Sequence, residues 1–372
     1  MNNLIKYFFL FLFISCLEKQ NFNQNINPEK LNEEFILFQD PKLSINTKYK
    51  WYLLTDINLE LELLGTSIIQ NNNIMISILS NDLNNELIII SFNSDGTINK
   101  KYAKNGILEI KRMKDIGKIE ALAFQNDGKI VLAGNFRKIG REKYFLARIN
   151  IDGSLDYSFG EKGIIKYENE NQYNIIDNII AIKSILIKKP DNKIFLSGYI
   201  LKNDNYSIFL ECYNTDGTRD ASFGNNGISI IDIGKNQIIP VKIIIQKDNK
   251  IIIGGRFWNG LNYDIILLRF YDNGKLDEKY GLSGKVITDI KGDDDYLYFI
   301  ETQENGKIVV AGTSYLGLNW NFILLRYKYD GNLDDDFGCS GIIKTDFERK
   351  NAKAYSLYID RNNKICNSQD NI

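Results

Sequence analysis

A repeat of about 57 residues constrains the fold of this chain more than any other feature of its sequence. One turn signal recurs as NSDGTI, NIDGSL, NTDGTR, YDNGKL and KYDGNL, with turn glycines at Gly96, Gly153, Gly217, Gly274 and Gly331, spaced 57, 64, 57 and 57 residues apart. A second signal occurs as NDGKIVLAG (126–134), PDNKIFLSG (190–198), KDNKIIIGG (247–255) and ENGKIVVAG (304–312). Because Asp-Gly, Asn-Gly and Asp-Asn tolerate the positive φ angles of tight hairpin turns, the repeat predicts short strands joined by such turns.

Four apolar runs lie between the turns of each unit. In the unit that contains Gly331 they are YLYFIETQ (296–303), KIVVAG (307–312), FILLRY (322–327) and GIIKTDF (341–347). These runs lack helical periodicity, and aromatic residues, at 12% of the chain, favour strands. Four-stranded units repeated in this way are typical of β-propeller blades, so the sequence predicts an all-β propeller. A solenoid is the alternative, but it usually has shorter periods and capping repeats.

A third signal follows each first turn and combines an aromatic residue with glycines. It reads KYAKNG, SFGEKG, SFGNNG, KYGLSG and DFGCSG. We expect the aromatic ring to fill the gap between neighbouring blades and the glycines to carry the chain through a sharp bend. A phosphate-binding loop is disfavoured, because no Lys-Ser/Thr pair follows and no helix begins there.

The phrases LDYSFGEKGIIKY, DGKIVLAG, YFLARINIDGSLD and NFILLRYKYDGNLDDDFG resemble the bacterial delta-60 repeat, a β-propeller family. The resemblance covers most of residues 33–366. It implies a propeller and, as in many members of that family, secretion. It implies no particular activity and brings no catalytic residues.

The two ends of the chain complement each other. The C-terminal unit contains only two runs, AYSLYID (354–360) and RNNKICNS (361–368). Residues 40–57 align without a gap with residues 330–347, matching Leu43 with Leu333 and Thr55 with Thr345. We therefore predict six blades in a single domain at 33–368, with two strands of the closing blade supplied by each terminus, because a propeller needs its last sheet completed.

The N-terminus, MNNLIKYFFLFLFISC, has the pattern of an export signal. Lys6 precedes an apolar core that is too short to span a bilayer, which takes roughly 20 residues. The segment resembles a bacterial lipoprotein signal ending in Ser15-Cys16, although Phe13 stands where Leu is usual. We predict a signal peptide at 1–15, lipidation of Cys16, a flexible tether to residue 32, and an anchor at the periplasmic face of the outer membrane or at the cell surface. An ordinary signal peptide with an incidental cysteine is the alternative.

Composition excludes several kinds of chemistry. The chain has no histidine, which removes Ser-His-Asp, Cys-His and His-metal sites. Its 46 basic and 47 acidic residues leave no positive surplus for nucleic acid. The cysteines, Cys16, Cys212, Cys339 and Cys366, lack metal-site spacing, so no metal or other cofactor is predicted. Cys212 reads as a small buried residue, and a Cys339–Cys366 pairing is left open.

An arginine and an aspartate recur around the first turn, five residues before the turn glycine and three residues after it. The pairs are Arg148 with Asp156, Arg269 with Asp277, and Arg326 with Asp334. Ser91 and Asn99 replace both members in the first unit, and Cys212 replaces the arginine opposite Asp220. Because an arginine within an apolar strand needs a carboxylate partner, we predict repeated structural ion pairs, with a repeated ligand site as the alternative.

Two other features bear on binding. The runs Asp293–Asp295 and Asp334–Asp336 lack the spacing of an EF-hand, so they are expected to be solvated loop charges. The segment GGRFWNGLNYD (254–264) is aromatic-rich, and Phe257, Trp258 and Tyr263 are the predicted surface contacts. The tryptophans Trp51, Trp258 and Trp320 could line a carbohydrate surface, but tryptophan in a strand is more often part of the core.

Two classes of function follow. The first is a membrane-tethered scaffold that binds another envelope protein; no small-molecule ligand is identified. The second is a glycosidase or lyase that uses carboxylates at the channel mouth. An enzyme needs unlike acidic and aromatic residues in one pocket, whereas the sequence mostly repeats the same residues in each unit, so a binding protein is favoured over an enzyme.

Overall fold

The turn signals of the repeat join antiparallel strands throughout the computed structural model. It describes residues 61–62, 67–70, 73–80, 87–93, 97–110, 118–138, 141–167, 179–202, 205–232, 236–316, 319–345, 352–359, 363 and 365–371. Every regular element within these residues is a β-strand, which confirms the all-β class. No helix among them is long and apolar enough to cross a membrane. The predicted signal, Cys16, the tether and the segment 33–57 lie outside the described residues.

The chain divides into two units, of which the first comprises residues 1–114 and 151–153. It contains β1 (Leu61–Glu62), β2 (Ser67–Gln70), β3 (Asn73–Ser80), β4 (Leu87–Phe92) and β5 (Ile107–Ile110). β3 pairs with β1, β2 and β4, and β4 pairs with β5, all antiparallel. Ile89, Ile90 and Leu108 are buried in this unit.

The second unit, residues 115–150 and 154–372, contains four sheets that each have four consecutive antiparallel strands. Blade 1 consists of β6 (Lys118–Phe124), β7 (Ile130–Lys138), β8 (Arg141–Ile149) and β9 (Ile164–Tyr167). Blade 2 consists of β10 (Ile179–Ile187), β11 (Ile194–Lys202), β12 (Asn205–Tyr213) and β13 (Ile228–Asp232). Blade 3 consists of β14 (Ile238–Ile245), β15 (Ile251–Trp258), β16 (Tyr263–Phe270) and β17 (Lys285–Thr288). Blade 4 consists of β18 (Asp295–Thr302), β19 (Ile308–Leu316), β20 (Asn319–Tyr327) and β21 (Ile342–Thr345). The four predicted runs of the unit around Gly331 are therefore confirmed as the four strands of blade 4.

A two-stranded sheet ends the second unit. It pairs β22 (Ala352–Ile359) with β23 (Ile365–Asn371), where the two C-terminal runs were expected to form strands. Since the residues predicted to complete this sheet lie outside the described residues, six blades and the closure by both termini remain predictions.

The sheets of the second unit pack in sequence order. The first strands β6, β10, β14, β18 and β22 each contact the first strand of the next sheet. A hydrophobic cluster fills each of the four successive interfaces between neighbouring sheets. The inner part of β11, Ile194–Gly198, is buried on both faces, which explains why such strands read as continuous apolar runs rather than as an alternation.

The aromatic residues of the third signal occupy the positions expected of them. Phe159 and Tyr280 are fully buried, and each ring packs against the turn glycine of the following blade. A Cβ atom on Gly331 would stand 2.9 Å from the Tyr280 ring, and one on Gly217 would stand 2.9 Å from that of Phe159. Glycine is therefore needed at these turns both for its positive φ angle and for the close approach of the ring.

Candidate functional site

The structure brings together each predicted arginine and aspartate. The distance from arginine Nε to aspartate Oδ2 is 2.7 Å for Arg148–Asp156, 2.8 Å for Arg269–Asp277 and 2.6 Å for Arg326–Asp334. In the first unit, Asn99 donates a neutral hydrogen bond to Ser91 at 3.2 Å in the corresponding place.

A lysine that sequence reasoning missed contacts the same aspartates. Lys129 lies 2.7 Å from Asp156, and the corresponding lysines lie 3.2 Å from Asp277 and 2.7 Å from Asp334. In blade 2, where Cys212 replaces the arginine, Lys193 contacts Asp220 at 2.5 Å. The signal was available, because the lysine of the second turn recurs in NDGK, PDNK, KDNK and ENGK.

These contacts keep the aspartates ionised. Burial raises the pKa of Asp220, but hydrogen bonds from Lys193 and Ser222 outweigh it, and the pKa falls to about 2. The pKa of Asp334 is lowered chiefly by its hydrogen bond from Lys307, with Arg326 adding to the effect.

The arginines also join neighbouring blades. The Arg269 guanidinium lies 4.2 Å from the centroid of the Tyr280 ring, and its Nη1 donates to the carbonyl oxygen of Tyr329 in blade 4 at 2.5 Å. Arg148 makes the corresponding hydrogen bond to the carbonyl oxygen of Thr215 in blade 2. Since the recurring charges are directed at groups of the chain itself, their recurrence is accounted for by blade-to-blade packing.

A second set of side chains lies at one edge of blades 3 and 4. We define the aromatic surface as Trp258, Tyr263, Tyr296, Tyr298, Tyr315 and Trp320, all partly exposed. The ring centroids of Tyr296 and Trp320 are 4.8 Å apart in a stacked arrangement, and those of Trp258 and Tyr263 are 5.0 Å apart. Tyr263 connects the two groups, at 5.7 Å from Tyr296. The rings therefore form a continuous surface across two blades.

Arg256 lies among these rings. Its guanidinium is 4.4 Å from the centroid of Tyr296 and 4.9 Å from that of Tyr298, within the range of cation–π attraction. Its Nε is buried and has no hydrogen-bond partner. Gln237 extends the polar part of the surface, because it donates to the Tyr206 hydroxyl at 3.0 Å and accepts from the Tyr263 hydroxyl.

Two of the three predicted surface residues, Trp258 and Tyr263, belong to the aromatic surface. Phe257 is also partly exposed, but it packs against the hydrophobic cluster between blades 2 and 3 and does not join the aromatic surface. The reason is the alternation of a strand, which directs Phe257 to the opposite face from Trp258. Trp320 joins the aromatic surface, and Trp51 lies outside the described residues.

Three carboxylates converge beside the aromatic surface. One carboxylate oxygen from each of Asp264, Asp289 and Asp295 lies within 4.8 Å of the others; we call these residues the acidic cluster. Asp264 is 4% exposed and Asp295 is 0% exposed, whereas Asp289 is exposed. The prediction that Asp295 is a solvated loop residue is therefore wrong, because Asp295 is the first residue of β18 and its side chain is buried. It is also wrong for Asp334, which is 1% exposed and paired with Arg326.

Each carboxylate of the acidic cluster accepts a hydrogen bond on one oxygen. Asp264 Oδ2 accepts from Asn259 Nδ2 at 3.0 Å, Asp295 Oδ2 from the Ile290 amide at 2.5 Å, and Asp289 Oδ1 from the Gly292 amide at 2.6 Å. The Oδ1 atoms of Asp264 and Asp295 are buried and accept no hydrogen bond of normal length, although the Ser314 hydroxyl lies close enough to the Asp295 carboxyl to lower its pKa. These two oxygens are therefore available to a ligand.

Burial and mutual repulsion disfavour ionisation of all three carboxyl groups of the acidic cluster. Burial raises the pKa of Asp295 to about 7, and the charges of Asp289 and Asp264 add to the shift although hydrogen bonds oppose it. Burial likewise raises the pKa of Asp264, with contributions from Asp289 and Asp294. The acidic cluster thus holds a proton near neutral pH unless a cation neutralises it.

The acidic cluster is absent from the neighbouring blades. With Arg269 aligned on Arg326 and Cys212, Asp264 corresponds to Asn321 and Ser207. Asp295, the first residue of β18, corresponds to Ile238 and Ala352, the first residues of β14 and β22. The three acids therefore occur together at one place in the repeat, so repeat architecture does not account for them.

Comparison with known proteins agrees with the geometry. Residues 125–159, 189–223, 246–278 and 303–337 match the family model described as a domain of unknown function (DUF5122) beta-propeller. The chain carries β-propeller repeats. Each matched segment of this propeller begins at the second turn signal and extends past the first, so it covers the recurring lysine and aspartate and, in three of the four segments, the arginine. No curated protein matches the sequence.

Solved structures similar to this propeller share little sequence with it. A protein from Lactobacillus plantarum is 9% identical, with a TM-score of 0.49 over 81% of this chain and 76% of that one. A protein of unknown function from Dyadobacter fermentans is 12% identical, with a TM-score of 0.46 over 78% and 84% of the two chains. The NanB sialidase from Streptococcus pneumoniae is 8% identical, with a TM-score of 0.48 over 92% and 69%.

Proposed function

We propose that this β-propeller is an exported, lipid-anchored scaffold that binds another protein of the bacterial envelope through the aromatic surface. The observation that carries the proposal is the concentration of Trp258, Tyr263, Tyr296 and Trp320 around Arg256. Trp, Tyr and Arg are the residues most enriched at the energetic centres of protein interfaces, and Trp and Tyr bury a large area with little loss of conformational entropy.

The exposure of the acidic cluster favours binding over catalysis. A glycosidase needs two carboxyl groups that face the sugar. Asp264 and Asp295 are buried, and only Asp289 is open to solvent. The second candidate is nevertheless a glycosidase or lyase, because a carboxyl with a pKa of about 7 lies beside other acids and an aromatic surface.

The anchor and the closed ring belong to the same proposal. Cys16 carries the lipid, and residues 33–57 complete the sheet of β22 and β23 as a sixth blade. The support is the two-stranded sheet that follows four-stranded blades, together with the alignment of residues 40–57 with 330–347. Deletion of 33–57 should then give a chain that aggregates or melts without cooperativity, and Cys16→Ser should abolish metabolic labelling with palmitate. A soluble truncation that melts cooperatively, or a labelled Cys16→Ser chain, contradicts the corresponding part.

In-cell photocrosslinking tests the binding surface. A benzophenone amino acid placed at Trp258 should capture one reproducible protein, identified by mass spectrometry. The same probe at Tyr157, an exposed tyrosine of blade 1, is the matched control and should not capture it. Tyr296→Ala should weaken capture at Trp258 without lowering the melting temperature by more than a few degrees.

The enzyme candidate gives the opposite pattern. Turnover of envelope glycans by the purified chain, lost in Asp289→Asn, together with no crosslinked protein, would replace the scaffold proposal. Equal capture from both probe positions would also contradict it, because the aromatic surface would then have no special role.

A further inference from the structure

We propose that Asp264, Asp289 and Asp295 form a binding site for a calcium ion at the edge of blades 3 and 4, beside the aromatic surface. The site is independent of the proposed partner, since its evidence is the arrangement of carboxylate oxygens alone.

The spacing of the oxygens fits a shared ion. Calcium binds oxygen ligands at 2.3–2.6 Å, so two oxygens on one ion can be no more than about 5 Å apart. One oxygen from each of the three aspartates lies within 4.8 Å of the others. The three segments that supply them are the start of β16, the residue after β17 and the start of β18.

Two buried oxygens point independently to a ligand. Asp264 and Asp295 are more than nine-tenths buried, and the Oδ1 atom of each accepts no hydrogen bond of normal length. A buried carboxylate without compensation is costly, and a bound cation supplies the compensation. The cation would coordinate the oxygens that the protein leaves open while Asn259 and the Ile290 amide hold the other two.

The chain supplies no basic partner at hydrogen-bond range. Within the described ranges, no salt bridge joins Lys or Arg to the acidic cluster, whereas Asp156, Asp277 and Asp334 each have both an arginine and a lysine. Lys344 acts on Asp295 only through its charge, and Lys344 and Lys291 are both exposed. The neutralising Lys and Arg of the other buried aspartates in the described ranges are therefore missing at the acidic cluster.

The donor set selects the class of ion. All three side chains offer hard oxygen ligands, which exclude the soft-ligand sites of zinc or copper. Calcium accepts irregular sets of 6–8 oxygens, including backbone carbonyls and water, whereas magnesium demands a near-ideal octahedron. Ligands from three irregularly spaced segments suit the larger ion.

The site is coupled to the aromatic surface through the chain. Tyr263 precedes Asp264, and Tyr296 follows Asp295. Asp294 accepts a hydrogen bond from the Tyr263 amide at 2.8 Å and one from the Tyr296 hydroxyl at 3.2 Å. An ion held by the acidic cluster would therefore fix the segments that carry both rings.

Terbium luminescence tests the site on the full chain. Tb³⁺ replaces calcium and is sensitised by nearby Tyr and Trp, so the chain should give saturable emission that calcium competes away. Asp295→Asn and Asp264→Asn should each weaken binding by at least about tenfold, as expected for loss of a metal ligand. The matched control is Asp232→Asn, since Asp232 holds the position of Asp289 in blade 2; it should bind as the unsubstituted chain does.

Further outcomes decide the proposal. Asp264→Asn or Asp295→Asn could fail to fold, which loss of the native circular dichroism spectrum would show. In that case the test is the comparison of Asp289→Asn, at an exposed position, with Asp232→Asn. Absence of saturable emission and of calorimetric calcium binding, or equal affinity in all variants, overturns the site. Magnesium that competes as well as calcium overturns the choice of ion. Calcium binding without a crosslinked partner would refute the scaffold but leave the calcium site standing. A crosslinked partner without calcium binding would refute the calcium site but leave the scaffold standing.

Discussion

The guanidinium of Arg269 lies 4.2 Å from the centroid of the Tyr280 ring, and both side chains are buried. The same stacking occurs at 4.7 Å between Arg148 and Phe159 and at 4.4 Å between Arg326 and Phe337. An arginine and an aromatic residue that lie eleven residues apart in the sequence therefore act as one unit in space. Each unit places a charge, its carboxylate partner and a ring at the boundary with the next blade.

Arg269→Met should destabilise the chain by roughly 3 kcal/mol, because it leaves Asp277 buried with only Lys250 as a charged partner. Urea unfolding, followed by fluorescence, measures the change. Asn99→Ala, at a position where a neutral hydrogen bond replaces the ion pair, should cost only about 1 kcal/mol. Equal effects of the two substitutions would show that the buried charge is unimportant.

Gly331→Ala should be more destabilising than Gly306→Ala. Both glycines have positive φ angles, +96° and +81°, so both substitutions introduce backbone strain. Only at Gly331 would the new Cβ meet a buried ring, that of Tyr280 at 2.9 Å, whereas at Gly306 the nearest atom is 3.7 Å away. Melting temperatures of the two variants should differ by several degrees, and identical values would argue against ring packing at the turn.

Asp295 should make the metal-free chain less stable as the pH rises. Its pKa is about 7 in the fold against 3.8 for the ordinary carboxyl, so the folded state binds the proton more tightly. The free energy of unfolding should therefore fall as the pH rises from about 4 through 7. Asp295→Asn removes this dependence, and chemical denaturation at a series of pH values in chelator measures it. If the free energy of unfolding of Asp295→Asn fell with pH as steeply as that of the unsubstituted chain, the raised pKa would not belong to Asp295.

Two cysteines should differ sharply in reactivity. Cys212 is buried, which raises the pKa of its thiol to about 12, whereas Cys339 is free and exposed. Since the thiolate is the reactive form, iodoacetamide should label Cys339 in the native chain and Cys212 only after unfolding. Peptide mapping by mass spectrometry distinguishes the two, and native labelling of Cys212 would contradict its burial.

Much of the fold could be predicted from single positions of the repeat. Gly331 and its counterparts identify the turns because few other residues adopt their φ angles, and the runs between them have the length of strands. The pairing of Arg326 with Asp334 was also predictable, because both flank the same turn. The recurrence of Lys307 and its counterparts was also visible in the sequence, but its partner was not, because the contact with Asp334 joins two hairpins whose approach depends on the assembled sheet.

By itself the sequence determined the class of fold, the strands of each unit and the positions of the turns, since these depend on local geometry and on spacing along the chain. Only the tertiary structure decided that Asp295 is buried while Asp293 and Asp294 beside it are partly exposed, and that it meets Asp264 and Asp289. The physical reason is that strand pairing and the connection between blades 3 and 4 bring these distant carboxylates together. Their burial, and with it their high pKa and their capacity to hold a cation, depends on that assembly.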